Sequence, residues 1–139
     1  MDKCNKTFFL MALGSNTEAE NNITQAQNMI NSLWNNCIFS SAINTKPIGI
    51  QSPDFINMIV CGWTTNSYEE IKKQIKQIEN HLHSTKEERK KGVVRMDIDL
   101  LQYGTNLYKE NDWKRAYIQQ LIEELSQQAA IKAFLLINK

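Results

Sequence analysis

The chain has 139 residues, of which 42% are hydrophobic and 22% are charged, and its formal net charge is +1. This length and composition are typical of a folded domain, so we expect one domain over residues 1–139 and no extensive disorder. A net charge so close to zero gives no global attraction to nucleic acid or to membrane surfaces. We therefore expect neither as a partner.

The cysteines argue for a reducing compartment. Cys4, Cys37 and Cys61 are few, odd in number and widely spaced, which disfavours a disulfide framework or a zinc site. The apolar run at residues 8–13 is short and has no signal-peptide cleavage site behind it. No apolar segment is long enough to span a membrane. These features predict a cytoplasmic protein.

The first half of the chain predicts three strands. The apolar run at residues 7–13 reads as a central strand, and it ends at the turn signal GSN, residues 14–16. Residues 37–45 and 55–63 are rich in β-forming side chains and predict the second and third strands. Both prolines of the chain lie between these two strands, so that segment is expected to be a rigid loop.

Helix signals lie between and after these strands. T-x-x-E at residues 17–20 and S-x-x-E at residues 67–70 read as capping boxes, and apolar residues recur at helical spacing behind each of them. The charged segment 83–92 is expected to be a loop. Residues 113–130 predict a third helix, while the tail at residues 131–139 could extend that helix or form a last strand.

The stretch VVRMDIDLLQYG, residues 93–104, predicts a fourth strand. The order is then β-α-β-β-α-β with a C-terminal helix. This is the ferredoxin-like pattern of an α+β fold, with an antiparallel sheet and helices packed on one face.

Two aspartates interrupt that fourth strand. Because strand side chains alternate, Asp97 and Asp99 point to one face, and Met96, Ile98 and Leu100 point to the core. Two carboxylates at this spacing repel each other unless a cation lies between them. Mg²⁺ is the natural candidate, since it takes carboxylate oxygens and keeps positions open for substrate phosphates. The spacing alone also allows a solvated strand face with two ordinary acids.

Basic residues precede the aspartates and could contact phosphate oxygens beside a metal. They are Lys86, Arg89, Lys90, Lys91 and Arg95. The alternative for this segment is a solvated, charged loop.

Four motifs in one order carry a resemblance to a known family. They are ALGSN after the first strand, TKPIG and SPDFIN between the second and third strands, and DIDLLQYG on the fourth; KRAYIQQLIEEL is a weaker echo. The set resembles the 6-hydroxymethyl-7,8-dihydropterin pyrophosphokinases of folate biosynthesis, which have the ferredoxin-like arrangement. The resemblance implies transfer of the β,γ-pyrophosphoryl group of ATP, the co-substrate, to the pterin hydroxymethyl oxygen, with release of AMP and with two Mg²⁺ ions as cofactors.

The resemblance also implies site residues. Asp97 and Asp99 match the aspartates that bind both metal ions, and Arg95 joins them in the expected catalytic set. The pterin is expected to contact Thr45, Ile48, Phe55, Asn57 and Tyr117. The nucleotide is expected to contact Glu79, Lys86, Arg89, Lys90 and Arg115. Taken singly, Phe55 could be a core residue, Asn57 could satisfy a strand end, and Glu79 could be a helix-surface acid.

The chain departs from the family pattern around the nucleotide. One family arginine aligns with Val94, although Arg95 follows it and would share a face with the aspartates, which would allow an ion pair. Another aligns with Ser84, and the His-Pro-rich segment is absent. Two functions are therefore open: a pyrophosphokinase in which Lys86, Arg89 and Lys90 take over phosphate contacts, and a non-catalytic pterin- or nucleotide-binding homologue. A ferredoxin-like interaction domain, with its sheet face in a dimer contact, is a third reading, and the oligomeric state is not predicted.

Overall fold

The computed structural model describes residues 6–47 and 52–136. The elements in chain order are β1 (Thr7–Ser15), α1 (Ala19–Leu33), β2 (Ile38–Phe39), β3 (Ile43–Thr45), β4 (Phe55–Thr64), α2 (Tyr68–His81), α3 (Lys86–Lys90), β5 (Asp97–Tyr103), β6 (Asn106–Leu107), α4 (Glu110–Trp113), α5 (Ala116–Leu125) and α6 (Ala129–Lys132). None of the helices in these two ranges has the length and apolar character needed to cross a membrane.

The strands form one sheet in the order β2-β4-β1-β5-β6, with β3 also paired to β4. Every neighbouring pair is antiparallel. The predicted α+β, ferredoxin-like order is confirmed. The expected second strand is divided into β2 and β3, because at the break Ser40 bonds to Ile59 twice: its N–H donates to the carbonyl oxygen and its Oγ accepts from the amide, both at 2.9 Å.

Both faces of the sheet are covered. On β1, Phe9, Met11 and Leu13 pack in the core beneath α1 and α2. The alternate side chains Phe8 and Leu10 pack in a second core with the apolar residues of α5 and α6. The C-terminal helices therefore lie on the face opposite α1 and α2, and the sheet separates two hydrophobic cores.

Of the two expected capping boxes, one is confirmed at its cap and one is wrong. Ser67 Oγ accepts from the amide of Glu70 at 3.1 Å at the start of α2. At the start of α1, Glu18 occupies the cap position with a left-handed φ of 44°. Thr17 Oγ1 instead donates to Asn16 Oδ1 at 2.9 Å, so its hydroxyl is used by the preceding turn.

The segment between α2 and β5 differs from its predicted structure. The expected loop contains the short helix α3, because Thr85 Oγ1 accepts from the amide of Glu88 at 3.2 Å and caps its N-terminus. The strand expected from residue 93 begins only at Asp97. Asn16 accounts for this difference: its Nδ2 donates to the Gly92 carbonyl and its Oδ1 accepts from the Val94 amide, both at 2.7 Å.

The far end of β5 contains a β-bulge. Met11 of β1 lies opposite Leu100, but Leu10 lies opposite Gln102, so Leu101 is the extra residue. The buried Gln102 then faces the C-terminal segment, where its Nε2 donates to the Phe134 carbonyl at 2.7 Å. The C-terminal helix predicted at residues 113–130 is α5 and the start of α6, and α4 ends at Trp113, where that helix was expected to begin.

Candidate active site

A cleft of about 400 Å³ opens where β1, β4 and β5 meet the segment that contains α4. It lies on the α5 side of the sheet. The predicted site residues that line it are Thr45, Phe55, Asn57, Asp97, Asp99, Arg115 and Tyr117. Side chains separated by up to 72 positions in the sequence therefore meet at one site.

Small residues on the central strand form the floor of this cleft. Gly14 is paired with Asn57 on one side and with Asp97 on the other, and Ala12 is paired with Asp99. A Cβ atom at Gly14 would lie only 3.0 Å from Asn57 Oδ1. Glycine is thus required for the close approach of these strands to the asparagine, and the space between the carboxylates and the amide stays open.

The Asp97 and Asp99 carboxylates are half-buried side by side rather than on an exposed surface. Burial raises the pKa of Asp99 to about 7, with the negative charge of Asp97 as the next cause. The pKa of Asp97 is also raised, first by burial and then by the charge of Glu79. Lys109 opposes the shift at Asp99, with its Nζ 3.9 Å from Asp99 Oδ1.

The site fits a magnesium ion. Within the described residues no group of three or more histidine, cysteine, aspartate or glutamate side chains could hold a metal, so the protein would contribute chiefly the two aspartates. Water and substrate phosphates would complete the octahedral shell, as is typical for Mg²⁺. A bound cation would also favour the ionised form of both aspartates, against the burial and the neighbouring negative charges that raise their pKa values.

The predicted pterin residues of the described chain lie in the same cleft. Asn57 is buried, and its Nδ2 donates to Thr45 Oγ1. Phe55 and Tyr117 supply aromatic lining. Ile48 lies outside the described residues. Amide and hydroxyl groups beside aromatic rings are suited to a flat, polar heterocycle.

The predicted nucleotide residues are more dispersed. Arg115 lines the cleft, with its Nη2 3.5 Å from Asp112 Oδ1. Lys86 and Lys90 are exposed on α3. Glu79 is buried, and its carboxylate accepts from the amide of Ile98 at 2.8 Å.

Arg89 lies between α3 and β5. Its Nη2 is 3.4 Å from Glu79 Oε1. Its Nε donates to Ser84 Oγ at 3.2 Å. It also lies close enough to Asp97 to oppose the rise in the pKa of that aspartate.

Arg95 does not form the expected ion pair with the aspartates. Its Nε and Nη2 donate to the two carboxylate oxygens of Glu88 at 2.9 and 3.1 Å, and its Nη1 is 3.6 Å from Glu18 Oε2. The prediction assumed that strand alternation extended back to residue 95, whereas β5 begins at Asp97. Within the described residues, Arg95 therefore forms its ion pairs with these two glutamates.

Among the cleft residues missed by the prediction are Lys109 and Asp112, two charged side chains near the aspartates. The β5–β6 hairpin turns the chain back, so that residues 109–115 lie beside the carboxylates. The cluster of charges in KENDWKR was the available signal. Without knowledge of the turn at Gly104, nothing indicated that it faced Asp99.

Comparison with known protein families gives a match over most of the chain. Residues 10–127 match the model of the 7,8-dihydro-6-hydroxymethylpterin-pyrophosphokinase (HPPK) family. The curated proteins include no significant match. The matched range contains β1 from Leu10 onward and all cleft residues described above. The chain therefore belongs to the HPPK family.

Proposed function

We propose that the chain is a single-domain, cytoplasmic pyrophosphokinase. It would transfer the β,γ-pyrophosphoryl group of ATP to 6-hydroxymethyl-7,8-dihydropterin in folate biosynthesis and release AMP. The observation that carries this proposal is one cleft that holds paired carboxylates, a Thr45–Asn57 amide–hydroxyl pair and two aromatic side chains. The family membership supports the same reaction.

Asp97 and Asp99 would hold the metal, with two Mg²⁺ ions as the family resemblance implies. When bound, Mg²⁺ supplies charge neutralisation for the phosphate oxygens. The two aspartates would fix that charge at one end of the cleft. Lys109, whose Nζ lies 3.9 Å from Asp99 Oδ1, would add a mobile positive charge for a phosphate oxygen.

The pterin would occupy the part of the cleft between β4 and α5. Asn57 and Thr45 would hydrogen-bond its polar edge, while Phe55 and Tyr117 would contact its ring faces. Ile48 is included in this proposal from the family resemblance. This arrangement brings the pterin beside Asp97, because Gly14 separates Asn57 from Asp97 by a single strand.

The nucleotide would be bound from the α3 and α4 side. Arg115 lines the cleft, and Arg89 lies beside Ser84, where the family pattern has an arginine. A guanidinium at that position would neutralise a phosphate in place of the missing side chain. Lys86 and Lys90 would approach from the exposed surface of α3, and Arg95 would have to release Glu88 to take part.

A non-catalytic pterin- or nucleotide-binding homologue is the second candidate. It is favoured by Val94, which stands at a family arginine position and is buried, and by the engagement of Arg95 with Glu88. Each lost charge-assisted contact to phosphate removes roughly 1.5–3 kcal/mol. Such losses would weaken turnover more than pterin binding.

An AMP-release assay with ATP, Mg²⁺ and 6-hydroxymethyl-7,8-dihydropterin tests the proposal. We expect AMP formation that depends on both substrates and on Mg²⁺. Asp97→Ala should abolish it, because one carboxylate cannot hold the metal charge in place. Glu69→Gln, an exposed change on α2, is the control and should retain activity. Pterin binding by calorimetry without AMP release would support the binding homologue and overturn the enzyme.

A further inference from the structure

We infer that Glu79 and Arg89 act as a pair of positioning residues for Asp97, holding the peptide groups on either side of it. This inference rests on the proposed function, since it concerns the metal site of that reaction. It assigns Glu79 a role through Asp97 rather than through contact with the nucleotide, and it gives Arg89 this positioning role in addition to the phosphate contact proposed above.

The contacts of the pair bracket Asp97. Glu79 Oε2 accepts from the amide of Ile98 at 2.8 Å, on one side of the aspartate. Arg89 Nη2 donates to the carbonyl oxygen of Met96 at 3.2 Å, on the other side. The two side chains are joined to each other at 3.4 Å. A carboxylate and a guanidinium therefore supply the acceptor and the donor that a neighbouring strand would provide.

This part of β5 needs such partners. β1 pairs with β5 along one edge, whereas β6 pairs with it only at Gln102 and Tyr103. Across the described ranges, no strand pairs with the outer edge of β5 at Met96–Ile98. Unpaired peptide groups at such an edge are free to shift or to bond water. The contacts of Glu79 and Arg89 therefore determine how firmly the Asp97 carboxylate is held in position.

Glu79 is poorly placed to bind a nucleotide directly. It is 3% exposed, and both of its carboxylate oxygens are engaged. Oε1 lies 3.2 Å from Lys76 Nζ and 3.4 Å from Arg89 Nη2, while Oε2 accepts from Ile98. A buried ion pair is weak support for stability, because apolar residues of similar size often serve as well. We therefore look for the role of the Glu79–Arg89 pair in its hydrogen bonds to the peptide groups of Ile98 and Met96.

The decisive variant is the double substitution Glu79→Met with Arg89→Met. It removes one negative and one positive charge, so the net charge near Asp97 is unchanged while both peptide contacts are lost. The readout is the Kd for Mn²⁺, used as a magnesium analogue without nucleotide, together with the Tm. Glu69→Gln, on the same helix but roughly 15 Å along its axis, is the matched control.

We expect the double variant to fold with a Tm near that of the wild type and to bind Mn²⁺ roughly 10–100-fold more weakly, as for other groups that orient metal ligands. The control should bind like the wild type. Wild-type Mn²⁺ affinity in the double variant would overturn the inference while leaving the proposed function intact.

Three further outcomes are informative. If the double variant does not fold, Glu79→Met takes its place, because it removes the acceptor of the Ile98 amide, and an unchanged Mn²⁺ affinity there overturns the inference. Weaker ATP binding in chelator with unchanged Mn²⁺ affinity would also overturn it, in favour of direct nucleotide contact. If the wild type binds no Mn²⁺ with or without ATP, both the metal site of the proposed function and this inference fail.

Discussion

At the scale of single residues, the main feature of the site is a pair of carboxylates whose ionised forms are destabilised by burial. Asp97 and Asp99 lie together in a half-buried cleft, and burial followed by mutual repulsion raises the pKa of Asp99 to about 7. Lys109 offsets part of this cost at 3.9 Å. A site with this arrangement is prepared for a cation, because binding removes a penalty as well as adding new bonds.

The pH dependence of stability follows from Asp99. Its pKa is about 7 in the folded chain against an ordinary 3.8, so between these values unfolding releases a proton. The free energy of unfolding should therefore fall as pH rises from 4 to 7 and then level off. In EDTA at pH 8, Asp99→Asn should be more stable than the wild type by at least about 1 kcal/mol, or roughly 3–6 °C in Tm.

Thermal unfolding in chelator at pH 4 and at pH 8 measures this effect. The advantage of Asp99→Asn should shrink at pH 4, where Asp99 is protonated in the folded wild type. An equal difference between the two proteins at both pH values would contradict the explanation.

Gly14 provides a test of the pterin part of the cleft. In Gly14→Ala the new methyl group would lie 3.0 Å from Asn57 Oδ1 and 3.7 Å from Phe55, so the asparagine must move. We expect pterin affinity to fall about tenfold, the equivalent of one well-made hydrogen bond, with little change in ATP affinity. Calorimetric titration with each ligand checks this, and equal losses for both would contradict it.

At the scale of elements, the turn after β1 determines where β5 begins. The Asn16 side chain hydrogen-bonds to the Gly92 carbonyl and the Val94 amide. The backbone amide of Asn16 donates to the Val94 carbonyl at 2.9 Å. The approach to Asp97 is therefore held by a side chain that lies 78 positions before Val94 in the sequence. The GSN motif thus has a structural use in the positioning of the cleft.

Asn16→Ala should release this segment. Because the buried amide of Val94 loses its acceptor, we expect a loss of about 2–3 kcal/mol in the free energy of unfolding. Hydrogen exchange at the Val94 amide should accelerate more than at Ile59 in β4. Denaturant unfolding of Thr17→Val, which removes only the neighbouring hydroxyl, serves as the control and should show a smaller loss.

The elements that the sequence predicted well are those whose signals are local. β1, α2 and β4 have continuous apolar runs or regular helical spacing, and they were expected close to where they lie. The valines at 93 and 94 also favour a strand, but the amide and carbonyl of Val94 bond to Asn16, 78 positions away, and the amide of Val93 donates to the Glu88 carbonyl. No local pattern could indicate a partner at that distance.

The same distinction applies to the site. Strand alternation was sufficient to pair Asp97 with Asp99, and the family motifs brought Asn57 and Tyr117 to them. The partners of Arg95 and the approach of Lys109 depend on where a bend and a hairpin direct the chain. Such directions are set by tertiary contacts rather than by residue type.

At the scale of the whole molecule, the sheet carries a hydrophobic core on each face. The second core extends beyond the family match, which ends at residue 127. Ile131 and Leu135 are fully or almost fully buried in it. Residues 129–136, the last that the structure describes, therefore belong to the folded unit although none of them lines the cleft.

Ile131→Ala tests this view. Loss of a buried isoleucine should destabilise the chain by about 2–4 kcal/mol. Lys132→Ala, at the adjacent exposed position, should change stability by less than about 0.5 kcal/mol. Equilibrium unfolding in urea measures both, and equal stabilities for the two variants would show that the second core does not need α6.

The bulge at Leu101 changes which side chains of β5 face the cleft side of the sheet. Before it, odd-numbered positions face the cleft, as Asp97 and Asp99 do; after it, the even-numbered Gln102 faces that side and Tyr103 turns to pack against Tyr68. The extra residue therefore lets Asp97 and Asp99 face the cleft while Gln102, an even-numbered residue, faces the C-terminal segment on the same side of the sheet. Because Asp97 and Asp99 are paired with Gly14 and Ala12 before the bulge, a change in chain length beyond Leu101 would leave both aspartates facing the cleft.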